Sequence, residues 1–127
     1  MPAGCLEDLT GADLIIRILP RTMIGHDNGL GSSVANHDGG VYGLVYYPSV
    51  EETANIVGVP APVLLALATV HEIGHLILGS DAHWPAGIMH PRWDRKEVAD
   101  MVQMNHFFNQ SQSRELQKRL MARTSPQ

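Results

Sequence analysis

The apolar positions of the chain form two short runs and then one long stretch that is apolar on nearly every helical face. Residues 14–19 (LIIRIL) and 41–47 (VYGLVYY) are rich in β-branched or aromatic residues, and each run stops at a proline. This pattern predicts two strands. Residues 25–40 are rich in Gly, Asn, Asp and Ser, which predicts a loop in which only residues 31–36 could add a third strand.

The pattern then changes to helical signals. Ser49 and Glu52 have the spacing of a capping box and predict a short helix over residues 50–57, ended by Gly58. Two prolines, at 60 and 62, suit the first turn of a helix over residues 61–78. Because this helix is apolar all round, we expect it to be buried, and we expect Gly79 to end it in a left-handed conformation.

The last third of the chain predicts two further helices. Residues 80–93 contain two prolines and a glycine and should be irregular. Asp94 and Glu97 form a box-like start for a helix to about residue 108, and a final helix should cover residues 112–121. The sequence therefore predicts an α+β fold, with a short mixed sheet packed on a buried helix and with C-terminal helices.

The length of 127 residues suits one domain, which we place over residues 1–127. Two clear strands make a thin sheet, so we also hold the hypothesis that the chain lacks an N-terminal portion of a larger domain. The formal net charge of −4 gives no electrostatic footprint for nucleic acid or an anionic membrane. The basic stretch 114–123 is expected to be the solvated face of the terminal helix.

The remaining composition excludes several kinds of site. Cys5 is the single cysteine, so an intramolecular disulfide and a four-cysteine zinc site are both excluded. The first residues lack the pattern of a signal peptide, and we expect no membrane-spanning segment because the uninterrupted apolar stretches are short. Localisation stays open.

The sequence His-Glu-Ile-Gly-His at residues 71–75 has the form of a zinc-binding helix. Histidines four residues apart lie on one helical face, so His71 and His75 can bind the same ion. Glu72 points beside the metal, where it can take a proton from zinc-bound water. Two histidines and a glutamate on an otherwise apolar helix are costly to bury without a partner, which favours a Zn²⁺ site over a structural explanation.

A third ligand must come from further along the chain. His83 follows the helix stop at Gly79 by four residues, a span long enough for the chain to double back to the metal. Asp81, His90 and Glu97 are alternatives. We favour His83, because three histidines leave the fourth zinc position to water and because Asp81 suits a turn after Gly-Ser.

The stretch HEIGHLILGSDAH, followed by GIMHP at residues 87–91, resembles a metzincin zinc peptidase. Members of this family carry HExxHxxGxxH, or Asp in the last place, followed by a turn that contains a methionine. The resemblance covers about twenty residues. It implies that Met89 lies in a Met-turn beneath the metal and that the strand over residues 41–47 forms an edge that binds extended peptide.

The chain departs from the family spacing in three ways. Gly79 falls one position late, Asp81 holds the place of the last ligand, and the gap from His83 to Met89 is short. Strict spacing would make Asp81 the ligand, whereas a remodelled loop allows His83.

The expected function is zinc-dependent hydrolysis of peptide bonds in a peptide or protein substrate, with His71, His75 and His83 as ligands and Glu72 as general base. A metalloendopeptidase is the expected type. Two alternatives stay open, namely a gluzincin-type peptidase with Glu97 as third ligand and a zinc-binding module without activity.

Overall fold

The computed structural model describes residues 13–21, 29–84, 87–104 and 107–124, which form a small α+β domain with a three-stranded sheet and four helices. The elements in chain order are β1 (Ile15–Leu19), β2 (Gly31–Asn36), β3 (Gly39–Tyr46), α1 (Tyr47–Val57), α2 (Ala61–Leu78), α3 (Arg95–Met104) and α4 (Gln110–Thr124). The predicted fold class, a mixed sheet with C-terminal helices, is confirmed at this level.

The three strands lie in the order β1-β3-β2. β1 runs parallel to β3, with Ile15 opposite Tyr42, and β2 pairs antiparallel with β3, with Gly31 opposite Val45. A tight turn joins β2 to β3, in which the Asp38 N–H donates to Asn36 Oδ1 over 2.8 Å. β3 is therefore the central strand, and β2 is an edge of the sheet within the described part of the chain.

α2 lies at the centre of the domain and contacts β2, β3, α1 and α4. Its predicted bounds are confirmed, with Pro60 as the N-cap, Pro62 in the first turn and Gly79 at the C-cap. The buried apolar side chains come from α2, from β3, from α1, from α3 and from the segment before α3; they are Val45, Tyr46, Val50, Ala54, Val57, Leu64, Leu67, Ala68, Leu76, Ile77, Ile88, Met89, Val98 and Met101.

The length and composition of α2 bear on the expectation, drawn from the short uninterrupted apolar runs, that the chain has no membrane-spanning segment. The helix has 18 residues and a mean hydropathy of 1.6, so by length and composition alone it could cross a membrane. Core helices of globular domains meet the same criterion. Here α2 packs against two strands and carries Glu72 and His75 among its buried residues.

Two predicted elements need correction. Residues 31–36, which lie within a predicted loop, form β2 because they pair with β3 along their whole length. The first helix begins at Tyr47, directly after β3, and not at residue 50. Its N-cap is Tyr46, without a side-chain cap, so Ser49 and Glu52 do not act as a capping box. Its end at Gly58, with φ of 79°, is confirmed.

The last two helices are capped by side chains. The Glu97 N–H donates to Asp94 Oδ1 over 2.8 Å and the Asp94 N–H to Glu97 Oε1 over 3.4 Å, which confirms the predicted box, although α3 ends at Met104. The same reciprocal pattern joins Asn109 and Gln112 at the start of α4. α4 therefore begins two residues earlier than predicted.

Candidate metal centre

The last three turns of α2 carry His71, Glu72 and His75, as the motif predicts. The two imidazole rings are 4.9 Å apart between centroids, on one face of the helix. The loop after α2 brings His83 onto the same face, 4.6 Å from the His75 ring. One nitrogen from each histidine lies within 4.8 Å of the others, so these three side chains could hold a metal ion.

A reversal at Gly79 makes this convergence possible. Gly79 has φ of 107° and ψ of 170°, a positive φ as predicted but an extended ψ in place of the left-handed helical one. This conformation is essentially restricted to glycine. A Cβ at Gly79 would also overlap the carbonyl oxygen of His37. The Ala82 N–H then donates to the Gly79 carbonyl over 3.3 Å, which closes the turn before His83.

The two helical histidines are oriented by backbone carbonyl groups. His71 Nδ1 contacts the Ile88 carbonyl oxygen, and His75 Nδ1 lies 3.0 Å from the carbonyl oxygen of Gly79. A protonated Nδ1 that donates to a carbonyl leaves Nε2 with its lone pair, the usual arrangement of a metal-binding histidine.

The distance between two of the candidate ligand nitrogens is slightly shorter than a bound zinc ion needs. His75 Nε2 and His83 Nε2 are 3.0 Å apart. A tetrahedral ion with Zn–N bonds of about 2.0–2.1 Å needs neighbouring nitrogens about 3.4 Å apart. A small outward shift of His83, which is exposed, would reach that distance. The donor set of three imidazoles suits zinc, although the arrangement alone does not identify the metal.

The local environment keeps two of the histidines neutral. Burial lowers the pKa of His71 to about 4, with a further lowering from the neighbouring His75 and His83. Burial also lowers the pKa of His83, and the neighbouring His75 and His90 act in the same direction. Neutral imidazole is the form that binds metal, so no proton has to be displaced from these rings at neutral pH.

Glu72 follows His71 in α2, lines the same cavity as the three histidines and is 5% exposed. Burial raises its pKa to about 7, and this rise is opposed by a hydrogen bond from Ser33. Ser33 Oγ donates to Glu72 Oε1 over 2.9 Å. The other oxygen, Oε2, lies where a side chain on Gly31 would approach to 3.1 Å, so the glycine leaves it room. In the metal-free protein this carboxyl group therefore gains and loses a proton close to neutral pH.

Sequence reasoning missed the role of Ser33. No local motif marks it, because its approach to Glu72 depends on β2 pairing with β3 and packing on α2. The Gly-Ser-Ser start of β2 was the available signal, since small residues permit close approach of a strand to a helix.

Residues 87–90 form a turn, and its Met89 packs on α2. The His90 N–H donates to the Gly87 carbonyl over 3.1 Å, and Ile88 and Met89 are buried. Met89 packs directly against Gly74 of α2. The turn therefore positions the site, because the Ile88 carbonyl orients His71.

The other candidate ligands lie outside the group of three histidines. Asp81 is exposed in the turn that follows Gly79. His90 Nδ1 is 3.4 Å from Glu97 Oε2 and accepts the Arg92 N–H over 3.1 Å. Glu97 caps α3. His90 and Glu97 thus each form a hydrogen bond within their own segment.

A cleft of about 810 Å³ opens over the site and is lined by His71, Glu72, His75 and His83. Residues of β2, among them Gly31 and Ser33, form one wall, and the segment 90–95 forms the other. The expectation that the strand over residues 41–47 is an edge at the cleft was wrong. That strand is β3, which is paired on both sides, whereas β2 faces the cleft.

Comparisons of the chain with protein-family models, with curated proteins and with solved structures found no match.

Proposed function

We propose that this protein is a zinc-dependent metallopeptidase, of a metzincin-like endopeptidase type, with His71, His75 and His83 as ligands and Glu72 as general base. The observation that carries the proposal is the convergence of three imidazole nitrogens beside a buried carboxyl group that lines an open cleft. A purely structural cluster would not need the carboxyl group at the cleft wall.

The residues divide the chemistry between them. Zinc, when bound, would polarise the scissile carbonyl and lower the pKa of a bound water. Glu72 takes the proton of the attacking water on its free oxygen and passes it to the leaving amine. Ser33 holds the other oxygen of Glu72, so the carboxyl group keeps one orientation through both transfers.

The edge strand β2 supports a peptide as substrate. In the described part of the chain β2 pairs with β3 on one side only, and its residues line the cleft. An extended peptide could pair with the free edge and pass its backbone across the three histidines. The half-buried Trp93 lines the opposite wall of the cleft, and its ring meets the His71 ring edge-on at 5.7 Å.

The experiment that tests the proposal is Glu72→Gln. Glutamine keeps the acceptor for Ser33 but cannot take a proton, so we expect bound zinc to be unchanged and hydrolysis of a protein substrate such as casein to fall by a factor of about 10³ or more. Glu51→Gln, the same change at an exposed position of α1, is the matched control and should be fully active. A wild-type protein that binds zinc but is as inert as Glu72→Gln would indicate a non-catalytic zinc-binding module.

A further inference from the structure

α4 has an unusual relation to the rest of the domain. None of its described side chains is buried, yet it contacts the C-terminal end of α2. Burial of apolar side chains therefore does not explain why it packs there. Two of its basic residues, expected to be solvated, point instead at backbone oxygens of α2.

These contacts complete the hydrogen bonding at the end of α2. The last four carbonyl groups of a helix have no partner within it. The first of them, on His75, accepts the Gly79 N–H over 2.8 Å. The other three accept from α4: Leu76 from Arg123 Nη1 at 3.2 Å, and Ile77 and Leu78 from Arg119 Nη1 at 3.3 and 2.9 Å.

α4 also holds the loop that carries the third histidine. Gln112 Nε2 donates to the Ala82 carbonyl over 3.3 Å. This carbonyl belongs to the peptide group that joins Ala82 to His83, so the hydrogen bond fixes the plane from which the His83 side chain projects. On its other side, the Ala82 N–H is held by the Gly79 carbonyl.

His83 needs this support more than the two helical histidines do. His71 and His75 each have a carbonyl group at Nδ1 that orients the ring. For His83, the hydrogen bond found among the described residues is the one to His75, a fellow ligand. The side chain is exposed, and its backbone lies outside any helix or strand.

We infer that α4 is the element that holds His83 in ligating position, with Gln112 and Arg119 as the positioning residues. The inference rests on the proposed metal site and extends it to a helix that lines no part of the cleft formed by the three histidines. Release of these two contacts would leave His71 and His75 in place on α2 and would free the third ligand. The result would be a two-histidine site with weaker affinity for zinc.

The test measures zinc affinity by competition with a chromophoric chelator, so it does not depend on peptidase activity. Gln112→Glu keeps the oxygen that accepts the Asn109 N–H and removes the donor to Ala82. Arg119→Met keeps the stem of the side chain and removes the donors to the Ile77, Leu78 and His37 carbonyl groups and to Glu115. We expect each variant to bind zinc about tenfold more weakly, in the range found for residues that orient metal ligands.

Two exposed positions of α4 supply matched controls, Gln117→Glu and Lys118→Met. Both make the same chemical change at described residues that form no hydrogen bond to the end of α2 or to the loop of His83, and we expect wild-type affinity within twofold. Circular dichroism and urea unfolding of the metal-free proteins verify that every variant is folded. If one of the two test variants fails to fold, the other carries the test.

A second background separates positioning from general stability. In a His83→Ala protein, Gln112→Glu and Arg119→Met should weaken zinc binding by less than twofold, because the ligand they position is gone. The inference is overturned if either folded variant binds zinc like the wild type, or if the loss is as large without His83 as with it. Zinc binding by the wild type without hydrolysis would contradict the proposed function and leave this inference standing.

Discussion

Replacement of Gly74 by alanine tests the packing of Met89 against α2. Alanine at a helical position free of other contacts would stabilise the protein by about 1 kcal/mol relative to glycine. At Gly74, however, the new methyl group would overlap Met89 Sδ and lie 3.1 Å from Met89 Cε and 3.5 Å from Phe108 Cε1. Helix propensity therefore predicts that Gly74→Ala stabilises the protein, whereas packing against Met89 predicts that it destabilises the protein.

The burial of Met89 decides which effect is larger. Its side chain is 0% exposed, so it has no solvent to move into and must displace core neighbours. An added methyl group in a packed core costs about 1–3 kcal/mol. After the gain of about 1 kcal/mol in propensity is subtracted, we expect Gly74→Ala to be destabilised by about 1 kcal/mol.

The assay is urea unfolding of the metal-free protein, with Ala66→Gly as the control. Ala66 is exposed on the same helix, so its replacement reports propensity alone and should cost about 1 kcal/mol. Both changes, one that adds a methyl group and one that removes it, are thus expected to destabilise. A Gly74→Ala protein that is more stable than the wild type by about 1 kcal/mol would show that Met89 does not pack against the helix as described.

The remaining predictions concern Glu72, its partner and the loop. Burial raises the pKa of Glu72 from 4.5 to about 7, so in the metal-free protein Glu72 contributes stability at low pH that is lost as pH rises through this window. The unfolding free energy of Glu72→Gln should therefore rise more steeply with pH than that of the wild type, by up to about 1.4 kcal/mol per pH unit between pH 4.5 and 7. The lowered pKa of His71 makes the unfolding free energy of both proteins rise with pH, because the stability that neutral His71 contributes is lost as pH falls from 6.5 towards 4. Ser33→Ala should lower kcat about tenfold with little change in KM or zinc affinity, since it removes one hydrogen bond to the general base. Gly79→Ala should cost about 2 kcal/mol or more in urea unfolding and weaken zinc binding, because of its positive φ and its overlap with the His37 carbonyl.

Each of the predictions for Glu72, Ser33 and Gly79 has an outcome that would contradict it. Parallel stability curves for wild type and Glu72→Gln across this pH range would mean that Glu72 titrates at its ordinary pKa. A Ser33→Ala protein whose kcat is unchanged, or whose loss lies wholly in zinc affinity, would remove Ser33 from the chemistry. Wild-type stability and zinc affinity in Gly79→Ala would show that the loop does not need glycine.

The central helix and two of the three clustered histidines could be predicted because their signals are local. α2 is bounded by prolines and a glycine and is apolar on nearly every face, and the four-residue spacing of His71 and His75 fixes their common face. The sequence also favoured His83 as the third candidate ligand. The late position of Gly79 indicates that the loop differs from the family pattern, and three imidazoles suit zinc.

The features that could not be predicted depend on contacts distant in the chain. Residues 31–36 indicate no more than a possible third strand within a loop because the sequence GSSVAN has weak strand propensity, and they form β2 through pairing with β3. The same pairing makes β3 central and carries Ser33 to Glu72. Similarly, the basic residues of α4 show no sign in the sequence that they bind carbonyl groups of α2.

The most direct test of the proposed site is a crystal structure of the zinc-loaded protein with anomalous scattering measured at the zinc absorption edge. We expect one zinc ion within about 2.0–2.1 Å of one nitrogen each from His71, His75 and His83, with Glu72 beside it and not bound to it. A zinc ion held by Asp81, His90 or Glu97 in place of His83, or the absence of zinc from this cleft, would contradict the account.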